Sequence, residues 1–104
     1  MNLIDLDARA IGLVKDILAR QLPEFDVYVF GSRVRGTARN TSDLDLAVMS
    51  DRPVGAARLA DLREAFSDSD LPFKVDIVDW AATQNNFREL IQKEFVRIQT
   101  GKKS

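Results

Sequence analysis

The 104-residue chain contains neither cysteine nor histidine. Without cysteine there is no disulfide framework and no thiolate zinc site, which fits a reducing compartment. The missing histidine excludes more. It removes every Ser-His or Cys-His nucleophile pair and every imidazole-ligated metal. A metal bound here must be held by oxygen, which points to a hard ion such as magnesium or manganese. There is no basic surplus either: 15 Lys and Arg face 16 Asp and Glu, for a net charge of −1. That balance argues against direct binding of a nucleic-acid backbone. No run approaches the roughly 20 apolar residues that a membrane span requires. The opening MNLIDLDARA carries acids where a secretory signal would carry bases. These absences together predict a cytoplasmic protein without membrane contact.

What is present suits one small globular domain over residues 1–104, with 45% hydrophobic residues and charges of both signs. Ala10, Leu13, Val14, Ile17 and Leu18 recur at helical spacing and predict an amphipathic helix over residues 6–22, ended by Pro23. FDVYVF, residues 25–30, is rich in β-branched and aromatic residues and predicts a strand running into Gly31. Residues 32–38 read as a short helical turn, and Asn40, Thr41 and Ser42 as a loop. A second strand follows at 44–49, then a helix from 54 or 55 to 66, and a third strand at 73–78. The last element reads as a helix over residues 85–100, with Phe87, Leu90, Ile91, Phe95 and Ile98 on its core side. Gly101 then stops it and Lys102-Lys103-Ser104 form a frayed tail. The fold class is therefore α/β (α+β): a small mixed sheet with helices on one face and the other face partly open.

The chemistry concentrates in residues 31–48, GSRVRGTARNTSDLDLAV. Asp43 and Asp45, two apart on a strand, project from the same side, away from Leu44, Leu46 and Val48. Bare, the two carboxylates repel and one is driven toward protonation; a divalent cation removes that penalty. Two such ions are a common arrangement for in-line phosphoryl transfer, and Asp76 in the third strand could complete a shell. Asp79, at the end of that strand, is the weaker candidate and reads as an exposed or capping acid. Gly31 follows a strand and precedes a helical turn, where backbone N–H groups can approach phosphate oxygens. Ser32 adds a hydroxyl donor, and Arg33 and Arg35 can make charge-assisted bonds to the same anion. The Walker pattern GxxxxGK[ST] is absent. Each part alone is commonplace as a turn, a surface charge or a salt-bridged acid; their order along one chain is the specific signal.

Gly31-Ser32, then Ser42-Asp43-Leu44-Asp45-Leu46, then Val75-Asp76-Ile77 resembles the nucleotidyltransferase superfamily of DNA polymerase β. The short form GSRVRG…SDLDLAV looks in particular like the minimal nucleotidyltransferases, the MNT antitoxins paired with HEPN-domain RNase toxins. The resemblance covers nearly the whole chain and implies a polymerase β-like fold. It implies that Asp43 and Asp45 bind two Mg2+ ions, with Mn2+ as a substitute, and that Asp76 is the third carboxylate, aligning and activating the acceptor hydroxyl. By the same resemblance Gly31 and Ser32 contact the triphosphate of ATP, helped by Arg33 and Arg35. The implied reaction is AMP transfer to a tyrosine of a HEPN toxin within a hetero-oligomer. Two other readings stay open: an antitoxin acting by binding alone, and a small-molecule nucleotidyltransferase of the aminoglycoside-modifying kind.

Overall fold

Asp7 decides where the first helix begins. Its carboxylate accepts a bond from the Ala10 backbone N–H at 2.8 Å, so α1 runs Ala8–Gln21 rather than from residue 6. The computed structural model describes residues 3–39 and 41–102. The reading of Asn40 as a loop residue, and of the tail beyond Lys102, lies outside the described residues. After α1 come β1 (Asp26–Phe30), α2 (Ser32–Arg35), β2 (Leu44–Met49), α3 (Ala56–Ser67) and β3 (Val75–Asp79). A 3-10 turn at Trp80–Ala82 leads into α4 (Asn85–Lys93) and β4 (Phe95–Gln99).

The strands form one mixed sheet in the order β3-β2-β1-β4. β1 is antiparallel to both β2 and β4, whereas β2 and β3 are parallel and joined through α3. Strand alternation sorts the two faces. Val27 and Val29 of β1 and Leu44, Leu46 and Val48 of β2 point to one side with no exposure at all. There they meet Val14 and Leu18 of α1 and Leu62 of α3, equally buried. Each such side chain contributes about 1.5–3 kcal/mol relative to leaving it in water. Arg58 of α3 clamps this layer with a bidentate pair of 2.8 Å bonds to Glu24 and a 3.1 Å bond to the Gln21 carbonyl. Chiefly through that hydrogen bonding, the Glu24 carboxyl drops to about 2. Its small stabilising contribution is complete above the ordinary carboxylate range and disappears as pH falls toward 2.

The end of the chain departs from the helix expected over residues 85–100. The helix stops at Lys93 and the chain turns extended at Glu94, φ −157° and ψ 92°. FVRIQ satisfies two periods at once. Read at helical spacing, Phe95 and Ile98 continue the line from Phe87 and Ile91; read at spacing two, Val96 and Ile98 face the core and Phe95 and Arg97 the other side. The free edge of β1 decides between them, because pairing there satisfies a row of backbone groups that a longer helix would leave open. Consequently Phe87 and Leu90, expected in the core, are 40% and 60% exposed. α1 and α3 cover one face as expected, while α4 reaches the other, where Phe87 meets Phe30 edge to face at 6.1 Å.

Gly101 ends a strand, not a helix, and the chain beyond it is tied down as far as Lys102. Gly101 N–H donates to Asp26 Oδ1 at 2.6 Å and Lys102 N–H to the Pro23 carbonyl at 2.8 Å. A methyl on Gly101 would lie 2.4 Å from the Glu24 carbonyl oxygen. Gly101→Ala is therefore expected to destabilise the fold by about 1–3 kcal/mol, read as a lower midpoint in urea at unchanged slope.

Candidate active site

The sheet face away from α1 and α3 carries one row that matters. Phe30 of β1, Asp45 of β2 and Asp76 of β3 are successive cross-strand partners, and neighbouring strands lie about 4.8 Å apart. Thus Asp76, thirty-one residues further along the chain, comes beside Asp45 through the parallel pairing of β2 with β3. Asp43 precedes β2 by one residue and falls on the same side as Asp45 by alternation.

Gly31 closes the row at the end of β1. Its φ of 81° and ψ of −152° lie in a region essentially reserved for glycine. A methyl placed on it would come 2.3 Å from Asp45 Oδ2, so the carboxylate rests directly over the Gly31 Cα. Ser32 opens the four-residue helix α2, which Gly36 ends in a left-handed conformation, shorter than the turn expected over 32–38.

The electrostatics follow from this packing. Burial above all, then the charges of Asp76 and Asp43, push the Asp45 carboxyl above its ordinary range, while Arg35 pulls the other way. Asp45 therefore senses two acids and one base. Such a donor set, oxygen only and with surplus negative charge, fits a hard divalent cation. Among the described residues no three acids are gathered closely enough to close a metal shell alone. Magnesium is usually held by one or two carboxylates together with water and substrate phosphates.

A cleft of about 630 Å³ runs along this row, within the size range of ligand sites. Gly31, Arg35, Asp45 and Asp76 form its polar end; Phe30, Val78, Phe87 and Leu90 form an apolar wall. Arg88 holds α4 in place by donating twice to the Trp80 carbonyl, at 2.6 and 3.1 Å. Lys93 and Glu94 reach the cleft from the α4–β4 junction. These α4 residues escape a sequence reading that continues the helix, and only the alternation in FVRIQ hints at the break.

Ser32 and Asp43 are not among the residues that line this cleft, and two further candidates point elsewhere. Arg33, expected beside the phosphates, is 6% exposed and does not line this cleft. Its guanidinium donates to the backbone carbonyls of Asp5, Arg39 and Ser42 and stacks on Phe73. It lies two residues before Arg35 on a short helix, about 200° round it, so its side chain leaves on the opposite side of α2 from the cleft that Arg35 lines. Asp79 takes Ser50 Oγ and Val54 N–H at 2.7 Å each, which makes it the acid that shapes the turn after β2.

Comparison with known proteins identifies the family. Residues 13–103 match the profile of the family described as polymerase beta, nucleotidyltransferase. The chain is 46% identical over 101 residues to the probable protein adenylyltransferase MntA of Haemophilus influenzae, covering 97% of this chain and 89% of that protein. Its fold is similar to a solved toxin–antitoxin structure with AMP-PNP, at TM-score 0.72 and 24% identity, covering 88% of this chain and 73% of the other. It is also similar to the MNT antitoxin solved in complex with a tri-AMPylated HEPN toxin of Shewanella oneidensis, at TM-score 0.65 and 21% identity over the same shares.

Proposed function

The chain belongs to the polymerase beta nucleotidyltransferase family, and we propose that it transfers AMP from ATP to a tyrosine hydroxyl of a HEPN-domain RNase toxin, which it thereby neutralises. The observation that carries this reading is the row itself: Asp45 lies over Gly31 and pairs in register with Asp76. The 46% identity to a protein adenylyltransferase supports the choice of acceptor class.

Asp43 and Asp45 would hold two magnesium ions, or manganese in their place, with Asp76 sharing the first. When bound, the ions supply charge neutralisation at the phosphates and a template for in-line displacement. This chain's own residues do the rest. The Gly31 backbone and Ser32 hydroxyl hold the triphosphate, and Arg35, at the mouth of the cleft, adds positive charge beside it. Asp76 is exposed at the sheet's β3 edge, where an acceptor hydroxyl can approach from outside. It takes the hydroxyl proton as the phenolic oxygen forms a bond to the α-phosphorus. The bond from that phosphorus to the bridging oxygen breaks, and pyrophosphate leaves. The apolar wall of Phe87 and Leu90 offers the acceptor's ring a dry contact along this approach. With ATP and an RNase toxin as its substrates, the reaction would run in the cytoplasm.

The test is the intact mass of the partner HEPN toxin after incubation with this protein, ATP and magnesium. A gain of one or more AMP units on a tyrosine, absent for Asp43→Ala/Asp45→Ala, is the expected result. An unmodified toxin that the double variant still neutralises would establish inhibition by binding alone. Transfer to a small hydroxylated compound in place of the toxin would establish the small-molecule reading.

A further inference from the structure

Arg33 is buried, and Ser50 is the other buried polar side chain among the described residues. An ionised group is costly to bury unless every donor is used, so its partners indicate its task. Nη1 donates to the Asp5 carbonyl at 2.8 Å. Nη2 reaches the carbonyls of Ser42 at 2.8 Å and Arg39 at 3.3 Å, and Nε reaches Ser42 again at 3.2 Å. The guanidinium carbon lies 4.3 Å from the centre of the Phe73 ring, just before β3. In return, the Arg33 carbonyl accepts the Asp5 N–H at 2.7 Å.

The three carbonyls belong to segments outside the helices and strands. The Ser42 carbonyl is half of the peptide group that leads into Asp43. Among the described residues from Thr37 to Asp43 there is no helix or strand; Arg39 N–H donates to Ser42 Oγ at 2.8 Å and Ser42 N–H to the Arg39 carbonyl at 3.0 Å. Arg33 joins the far end of this loop to α2, the helix carrying Gly31 and Ser32 at its start, while Thr37 N–H donates to the Ser32 carbonyl at 3.3 Å at the near end. From these contacts we infer that Arg33 is a positioning residue: it sets the Ser42–Asp43 peptide, and through it the Asp43 carboxylate, relative to the Gly31–Ser32 turn. This rests on the reading of Asp43 as a metal ligand. Lysine cannot replace it, since one ammonium cannot serve three carbonyls in a plane while stacking on a ring.

The experiment uses Arg33→Lys in the full chain and reads Mn2+ binding in the presence of a non-hydrolysable ATP analogue, by electron paramagnetic resonance of the free ion. Wild-type binding tests the metal reading itself; the variants test Arg33. The expected result is Mn2+ affinity lowered about tenfold, with metal-free nucleotide affinity unchanged. In an Asp43→Asn background, Arg33→Lys should lower Mn2+ affinity no further, because its effect passes through Asp43. In transfer assays kcat should fall while KM for ATP stays level. Weaker metal-free nucleotide binding would overturn the inference in favour of a direct phosphate contact. A lower melting temperature with Mn2+ affinity unchanged in the folded protein would overturn it in favour of a purely structural role. If Arg33→Lys does not fold, Phe73→Leu removes the stacking ring and leaves the carbonyl bonds: weaker Mn2+ binding that vanishes as an effect in Asp43→Asn supports the inference, and unchanged binding overturns it.

Discussion

Asp45→Asn is expected to abolish AMP transfer and at the same time to stabilise the metal-free protein. Removing a carboxylate that would hold the charge-neutralising ions forfeits several kcal/mol of transition-state stabilisation, a rate loss on the order of 10³-fold or more. The gain in stability has a separate origin. Burial and the charges of Asp76 and Asp43 raise the Asp45 carboxyl above its ordinary range, so the folded state binds that proton more tightly than the unfolded state. Stability of the wild type then falls as pH rises from the ordinary carboxylate range through the raised value, and is level above it. Asparagine has the same shape and no charge to lose. The variant should match the wild type below that window and exceed it at neutral pH. Added magnesium and an ATP analogue should reverse the order. At 100 times the dissociation constant a ligand stabilises its site by about 2.7 kcal/mol, and Asp45→Asn forgoes most of this. Melting curves with and without ligand, across pH, measure both effects. Equal stability of the two proteins at every pH would contradict the crowding of acids around Asp45.

Gly31→Ala should damage the site by geometry alone. The backbone at φ 81°, ψ −152° admits almost no residue but glycine, and the new methyl would stand 2.3 Å from Asp45 Oδ2. Strain and overlap together should cost about 2–4 kcal/mol. Displacing the carboxylate by even about 1 Å should lower transfer about 100-fold or more. The mechanism makes a sharper claim, because two separate causes contribute. Asp45→Ala removes the overlapping group but not the backbone strain, so the double variant should lose less stability than the sum of the two single losses. The interaction should be about 0.5–3 kcal/mol in the favourable sense. Strict additivity in urea denaturation would mean that Gly31 and Asp45 do not touch.

The legibility of this protein in its sequence varies with the range of the forces involved. Strands β1 and β2 and helices α1 and α3 could be read locally, because each has a single apolar period and a nearby stop such as Pro23. Asp7 moved the start of α1 by capping it, a one-residue effect. The misreading at residues 94–100 had a different cause. There Phe95 and Ile98 fit both periods, no glycine or proline intervenes, and the choice fell to the vacant edge of β1, which lies far away in sequence. One consequence was to place Phe87 and Leu90 in a core they do not join. Another was to overlook the cleft wall that α4 provides.

The opposite fates of Arg33 and Arg35 show the same division. Both lie close behind Gly31-Ser32, with the same charge and reach, and nothing local separates them. Their helix faces differ, and so do their surroundings. Arg35 looks into the cleft with Asp45, while Arg33 turns toward three carbonyls and the Phe73 ring. From the order of residues alone came the chemistry: oxygen ligands without histidine or cysteine, a glycine turn ahead of an acid pair, and a third acid in a later strand. Folding settled which of these groups meet. Registration of β2 with β3 sets Asp45 beside Asp76, because strand pairing fixes distances between residues that no spacing along the chain constrains.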